Sequence, residues 1–146
     1  MAMAGGQAKS VDIKRYSSVS DFLKELDAEI TRLKGELGDL LRRLENAKAK
    51  AEVLMKLENL LSAAAGGGAK LGGTEIQLGQ TKAIINPTPK QEFEILVDVV
   101  RGLQGRIIAL ERSRKDLEPL SRIGDIELTL EVIYENGIPS KILVFM

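Results

Sequence analysis

Apolar residues recur along the first half of the chain at alternating steps of four and three residues. Leucine, isoleucine and alanine occupy the core positions of consecutive heptads from residue 23 to residue 54, and charged residues fill most positions between them. A 3.5-residue period keeps one narrow apolar stripe facing a partner helix. The pattern therefore predicts one long helix over residues 19–65. The positions that we expect to contact a partner are Val19, Phe22, Leu23, Leu26, Ile30, Leu33, Leu37, Leu40 and Leu44.

A second helix is predicted over residues 88–118. Thr88 can cap this helix, Pro89 stands at its first position, and Gln91 completes a capping box. Its apolar residues again follow heptad spacing, with Arg114 in the one broken core position. We expect this shorter helix to fold back on the first one as an antiparallel coiled-coil hairpin.

Two β-hairpins are predicted, each from a two-residue turn between β-prone runs. Gly79-Gln80 suits a type II′ turn within residues 66–87, after a glycine-rich linker. That linker lacks the Lys-Ser/Thr pair of a phosphate-binding loop. Asn136-Gly137 is typical of a type I′ turn within a C-terminal hairpin, residues 123–146. Pro139 places the second strand of this hairpin at a sheet edge. The side chains of this strand that we expect to meet a partner are Ile138, Ile142 and Val144.

The predicted fold class is α+β: an antiparallel coiled-coil helical hairpin with one short β-hairpin between the helices and one at the C-terminus. Residues 1–18 are predicted to be a flexible N-terminal arm, and residues 19–146 a single elongated domain. Folding back from the connection, the second helix would cover about residues 33–61 of the first. The apolar positions between residues 19 and 30 would then lack an intramolecular cover. Such a stripe normally marks an interface, so we expect a homo-oligomer.

Composition narrows the chemistry. The 146 residues include no cysteine and no histidine, which excludes disulfides, thiol or imidazole catalysis and Cys/His metal sites. Glu127, Glu131 and Glu135 lie along one face of the predicted C-terminal strand, where protection of a sheet edge by charge explains them better than a metal site does. We find no catalytic grouping, and expect no enzyme, no cofactor and no metal.

Charge and hydropathy argue against two classes of partner, nucleic acids and membranes. The 21 basic and 21 acidic residues balance and are interspersed, and aromatic residues make up 3% of the chain, so we expect no nucleic-acid partner. The apolar runs are too short to cross a membrane, and the first nine residues do not read as a secretory signal. The expected compartment is the cytoplasm.

Two classes of function remain. The first, which the sequence favours, is a structural or adaptor protein that oligomerises and docks a protein partner. The second rests on element order: long helix, β-hairpin and second helix over residues 18–118 resemble the architecture of prefoldin subunits. Those subunits end in the second helix, whereas here the Asn136-Gly137 hairpin follows it. The resemblance implies a holdase chaperone, whose unfolded clients would be held by Phe22, Leu23 and Leu26.

Overall fold

A computed structural model describes residues 10–65, 73–124 and 126–146, and the side chains of these residues except 62–65. The fold is α+β, with two helices that pack against each other and short antiparallel hairpins, which confirms the predicted class. The elements in chain order are β1 (Val11–Tyr16), α1 (Val19–Ala65), β2 (Thr74–Leu78), β3 (Thr81–Ile85), α2 (Pro89–Asp116), a 3₁₀ helix (Glu118–Ile123), β4 (Thr129–Glu135) and β5 (Ile138–Phe145).

Both long helices begin at side-chain caps. The Ser18 hydroxyl accepts a hydrogen bond from the backbone N–H of Asp21 at 3.1 Å, and α1 starts at the next residue. At the start of α2, Thr88 and Gln91 satisfy each other's backbone N–H groups, at 2.9 and 3.1 Å. This reciprocal pair is the predicted capping box.

The two hairpin turns have the backbone conformations that their sequences predict. Asn136 and Gly137 both have positive φ, 54° and 78°, as a type I′ turn requires. Gly79 has φ 62°, in agreement with the first central position of a type II′ turn.

The strands form two separate sheets. β2 and β3 pair with each other, whereas β1, β4 and β5 form an antiparallel sheet in the order β1-β4-β5. The prediction of a flexible arm is therefore wrong for residues 11–16, and residues 1–9 lie outside the described part. Charged residues interrupt the apolar pattern of β1, so the sequence gives little sign of this strand. The strand forms because it supplies hydrogen-bond partners for the N–H and C=O groups on one side of β4.

Because β4 lies between two strands, the interpretation of Glu131 and Glu135 as edge protection is wrong, and Glu127 lies before the strand. The Glu131 carboxylate lies 2.9 Å from the Arg15 guanidinium of β1. The Glu135 carboxylate accepts a hydrogen bond from the Ser140 hydroxyl of β5 at 2.7 Å. These two carboxylates therefore link β4 to its neighbours on either side.

The chain divides into two compact units. Unit 1 comprises Met1–Lys34 and Gln104–Met146, and unit 2 comprises Gly35–Leu103. Among the described residues, the buried apolar side chains of unit 2 are Ala47, Leu96 and Val100. Those of unit 1 form a larger core: Tyr16, Val19, Phe22, Leu23, Leu26, Ile30, Leu33, Ile107, Leu110, Leu130 and Val132.

The helices run antiparallel within each unit, but the predicted register is wrong. In unit 2 the Arg43 guanidinium lies 3.0 Å from the Glu92 carboxylate, in the first turn of α2. In unit 1 the Arg114 guanidinium, near the end of α2, lies 2.8 Å from the Asp27 carboxylate. The start of α2 therefore lies beside the middle of α1. Arg114, the broken heptad position, is explained by this ion pair.

The shifted register also reverses which end of α1 is uncovered. The five apolar positions from Val19 to Ile30 are buried, so the prediction that they lack an intramolecular cover is wrong. Phe22 is 0% exposed, and its ring centroid lies 5.2 Å from that of Tyr16 in β1. Apart from Leu41, the exposed large apolar side chains that the structure describes in α1 lie instead toward its end, in unit 2. They are Val53, Met55, Leu57, Leu60 and Leu61.

Candidate interaction surface

The three-stranded sheet of unit 1 has one buried face. Leu130 and Val132 of β4 are 1% and 0% exposed and point to the same side of the sheet, since side chains alternate along a strand. Their neighbours across the ladders lie on that side too, including Tyr16 of β1 and Val144 of β5. This face covers the first turns of α1, as the contact between Tyr16 and Phe22 shows.

The opposite side of the sheet, here called the outer face, carries exposed apolar side chains beside polar ones. Val11 and Ile13 of β1 are 59% and 58% exposed, and Phe145 of β5 is 52% exposed. The solvent side of an antiparallel sheet normally carries polar residues. Its polar side chains here are Arg15 and Glu131, which form an ion pair, and Thr129, Glu135 and Lys141. The apolar side chains of the outer face are Val11, Ile13, Ile133, Leu143 and Phe145.

The two edges of this sheet differ in charge. β1, at one edge, contains Asp12, Lys14 and Arg15 among its six residues. β5, at the other edge, carries no charged side chain after Lys141, because residues 142–146 are all apolar and none is proline. Charged side chains and prolines are the usual protection of an edge strand. The segment 141–146, here called the β5 edge, lacks that protection beyond its first residue.

The structure divides the predicted C-terminal contacts between two sides of the sheet. Ile142 and Val144 lie on the helix-facing side, half-buried and exposed respectively, and Ile138 is half-buried beside the turn. Sequence reasoning missed Leu143 and Phe145, although the uninterrupted apolar run of residues 142–146 was a signal that this strand carries apolar side chains on both sides of the sheet. It also missed Val11 and Ile13, because β1 itself was not predicted.

The predicted helical contacts pack within the chain. Leu33 is buried in unit 1, whereas Leu37, Leu40 and Leu44 are half-buried in unit 2. Leu40 lies beside Leu96 of α2 along a shallow apolar groove of unit 2. These leucines are thus buried or half-buried and do not form an exposed surface.

A charged cleft of about 330 Å³ lies in unit 1 between the sheet and the helices. The Lys14 ammonium is 2.9 Å from the Glu25 carboxylate and 5.8 Å from the centre of the Tyr134 ring. The hydrogen bond from Lys14 lowers the pKa of Glu25, and burial raises the pKa of Tyr16, whose hydroxyl is 2.6 Å from that of Tyr134.

The cleft carries as many acidic as basic groups. Three carboxylates, from Asp12, Glu25 and Glu29, face three cations. The Glu29 carboxylate also binds two of those cations, with Arg32 at 2.5 Å and Arg106 at 4.0 Å. This balance leaves no excess charge to hold an ionic ligand, and the cleft acts as a polar link between β1, α1 and α2.

No group of three or more acidic side chains that could hold a metal ion occurs in residues 10–65, 73–124 and 126–146. Within the same residues, neither helix has the length and apolar character needed to cross a membrane. Comparisons with protein-family models, with curated proteins and with solved structures give no match to this chain.

Proposed function

We propose that this chain is a non-enzymatic structural or adaptor protein, with its two helices paired as a coiled coil, that oligomerises and docks a protein partner. The observation that carries the proposal is the group of exposed apolar side chains on the outer face of unit 1 beside the unprotected β5 edge. Exposed apolar surface is unfavourable by about 25 cal/mol per Å² relative to burial. A contiguous patch of this kind is typical of an interface. A cytoplasmic location stays a prediction.

The chemistry of the outer face favours a protein as the docked partner. Its apolar side chains are aliphatic apart from Phe145. Of its charged groups, Arg15 and Glu131 bind each other at 2.9 Å, Glu135 accepts a hydrogen bond from Ser140, and Lys141 lies at the start of the β5 edge. The two cations of this face, Arg15 and Lys141, are matched by two carboxylates, Glu131 and Glu135. The face therefore has no excess of the cationic groups that bind phosphates, and it lacks a row of aromatic rings on which bases stack. An apolar centre with a few polar groups around it matches the composition of protein interfaces.

The docking role is tested on β1, away from the β5 edge. Val11→Lys with Ile13→Lys places two charges on the outer face, and both side chains are exposed enough for unit 1 to keep its fold. Tagged wild type, isolated from its source cells, should carry a partner at fixed stoichiometry, measured by light scattering and mass spectrometry. The double variant should lose that partner.

Val53→Lys in unit 2 is the matched control, because its side chain is 67% exposed and lies on neither strand of the surface. This control should keep the partner. The docking proposal is rejected if wild type carries no partner at fixed stoichiometry, or if the outer-face variant keeps the same partner at the wild-type ratio.

The holdase function is a second candidate, in an altered form. Phe22, Leu23 and Leu26 are buried, so they are not available to hold a client. Support for the candidate comes instead from the exposed apolar residues toward the end of α1, such as Leu57 and Leu60. Exposed apolar side chains on a helix are what an unfolded chain could contact.

This candidate is tested by the aggregation of a thermally unfolded enzyme at equimolar ratio, followed by light scattering. Leu57→Ser with Leu60→Ser should abolish any protection that wild type gives. Lys56→Ser with Asn59→Ser, at exposed polar positions of the same turns, should leave it unchanged. If wild type does not slow aggregation, the holdase candidate is rejected.

A further inference from the structure

The β5 edge is open on one side. In the described sheet β5 has β4 as its neighbour, and β4 is the central strand, so the other side of β5 presents backbone N–H and C=O groups without a strand partner. These groups lie along a segment that is uncharged from residue 142 onward. Such an edge is a template for the addition of another strand.

We propose that β5 pairs antiparallel with β5 of a second copy of this chain, about a twofold axis at Leu143. The two three-stranded sheets then form one six-stranded sheet, with a β1 strand at each outer edge. The inference rests on the proposed function, since it names the contact that produces the oligomer.

The segment is complementary to itself in this register. Leu143 lies opposite the partner's Leu143 on the outer face, and Ile142 lies opposite the partner's Val144 on the helix-facing side. Lys141 lies opposite the partner's Phe145, so no like charges face each other across the axis. Pro139, which has no N–H to donate, falls outside the paired residues.

The other edge favours closure at two copies. β1 carries Asp12, Lys14 and Arg15. The Lys14 ammonium and the Arg15 guanidinium already lie 2.9 Å from carboxylates of their own chain, those of Glu25 and Glu131. A six-stranded sheet with this edge on both sides has no uncharged edge left to extend it, and a twofold contact closes on itself.

Pairing of the edges also enlarges the outer face. Leu143 and Phe145 are 40% and 52% exposed in the single chain. In the pair Leu143 meets the partner's Leu143 and Phe145 meets the partner's Lys141, which joins the two outer faces into one. The second copy is therefore the occupant of the edge, and the enlarged outer face is left for the docked protein.

Single cysteines test this register directly, because the chain contains none of its own. In an antiparallel pair, Cα atoms of facing residues are about 4.5–5.5 Å apart, within the range that a disulfide spans. Leu143→Cys should therefore form a covalent dimer when oxidised with glutathione disulfide at micromolar concentration. Phe145→Cys should not, since two residues on each side of the axis separate its copies by about 13 Å.

Val11→Cys, also exposed but on the β1 edge, is the matched control and should form no covalent dimer under the same oxidation. The mass of wild type in light scattering should be twice the 15.9 kDa of one chain. Leu143→Glu places two carboxylates opposite each other at the axis. This variant should have half the wild-type mass in light scattering, while its far-ultraviolet circular dichroism stays unchanged.

The pairing is rejected if wild type has the mass of one chain at tens of micromolar, or if Leu143→Cys forms no disulfide. It is also rejected if Val11→Cys or Phe145→Cys cross-links to the same yield. The Val11→Lys with Ile13→Lys variant leaves β5 intact, so loss of the docked partner and loss of the dimer are separate outcomes.

Discussion

Lys14 joins the sheet of unit 1 to α1 through a single carboxylate. Its ammonium lies 2.9 Å from Glu25, and this hydrogen bond lowers the pKa of Glu25 from its ordinary value of 4.5. The same bond raises the pKa of Lys14 above 10.5. Both groups are charged at neutral pH, and the ion pair is then fully formed.

The Glu25 pKa predicts a loss of stability in acid. Because the folded-state pKa is lower than the unfolded-state value, the carboxylate stabilises the fold above pH 4.5 and ceases to do so as the pH falls through the folded-state pKa. The effect is modest, since 47% of the Glu25 side chain is exposed. Thermal melts between pH 7 and pH 3 should show a smaller decrease in melting temperature for Glu25→Gln than for wild type. Equal decreases would contradict the prediction.

Phe22 supports the core of unit 1. Phe22→Ala leaves a cavity where the side chain was 0% exposed, and should lower the free energy of unfolding by about 3–5 kcal/mol. Val53→Ala, at a side chain that is 67% exposed, should change it by less than about 0.5 kcal/mol. Urea denaturation followed by circular dichroism measures both. A Phe22→Ala variant as stable as the control would show that this ring is not part of a packed core.

Glycines inside the helices weaken them without serving a close contact. A Cβ atom added at Gly35 in α1 or at Gly105 in α2 would meet no neighbouring atom of the described residues within 4 Å. Gly35 is therefore a tolerated weak point of the helix and not a site where another backbone approaches closely. Gly137 differs, because its φ of 78° is disfavoured for any side chain and a Cβ there would lie 2.9 Å from the Arg106 guanidinium.

Alanine substitutions should separate these two kinds of glycine. Gly35→Ala and Gly105→Ala should each raise the free energy of unfolding by about 0.4–1 kcal/mol, because alanine restricts the unfolded chain and fits a helix. Gly137→Ala should lower it by about 1 kcal/mol or more, because it strains the turn between β4 and β5. Denaturant titrations of the three variants give the comparison, and a destabilised Gly35→Ala would contradict it.

The two units have cores of different size. The described buried apolar side chains of unit 2 are Ala47, Leu96 and Val100. Unit 1 instead buries side chains of two strands together with side chains at the start of α1 and near the end of α2. Since α1 passes through both units, one helix should have two levels of local stability along its length.

Native-state hydrogen exchange should resolve this difference. Amides of α1 in unit 2, from Gly35 onward, should exchange through openings of lower free energy than those of its first turns in unit 1. Intrinsic exchange rates of the same sequence provide the reference. Equal protection along the whole helix would mean that the small core of unit 2 is as effective as the larger one.

The sequence by itself determined the local structure. Heptad spacing predicted both helices, Thr88 and Gln91 predicted a cap, and Asn136-Gly137 predicted a turn, and each is confirmed. These features depend on residues within a few positions of one another, so their physical causes are visible in the linear sequence.

Tertiary structure alone decided the register of the helices and the place of β1, and therefore the outer face and the β5 edge. A heptad pattern is periodic, so it fits a partner helix equally well after a shift of seven residues. β1 carries little apolar signal and is fixed by β4, more than a hundred residues away in the chain. That pairing makes β4 the central strand and leaves β5 at an edge. It also places Val11 and Ile13 on the outer face. No local pattern of residues specifies this arrangement.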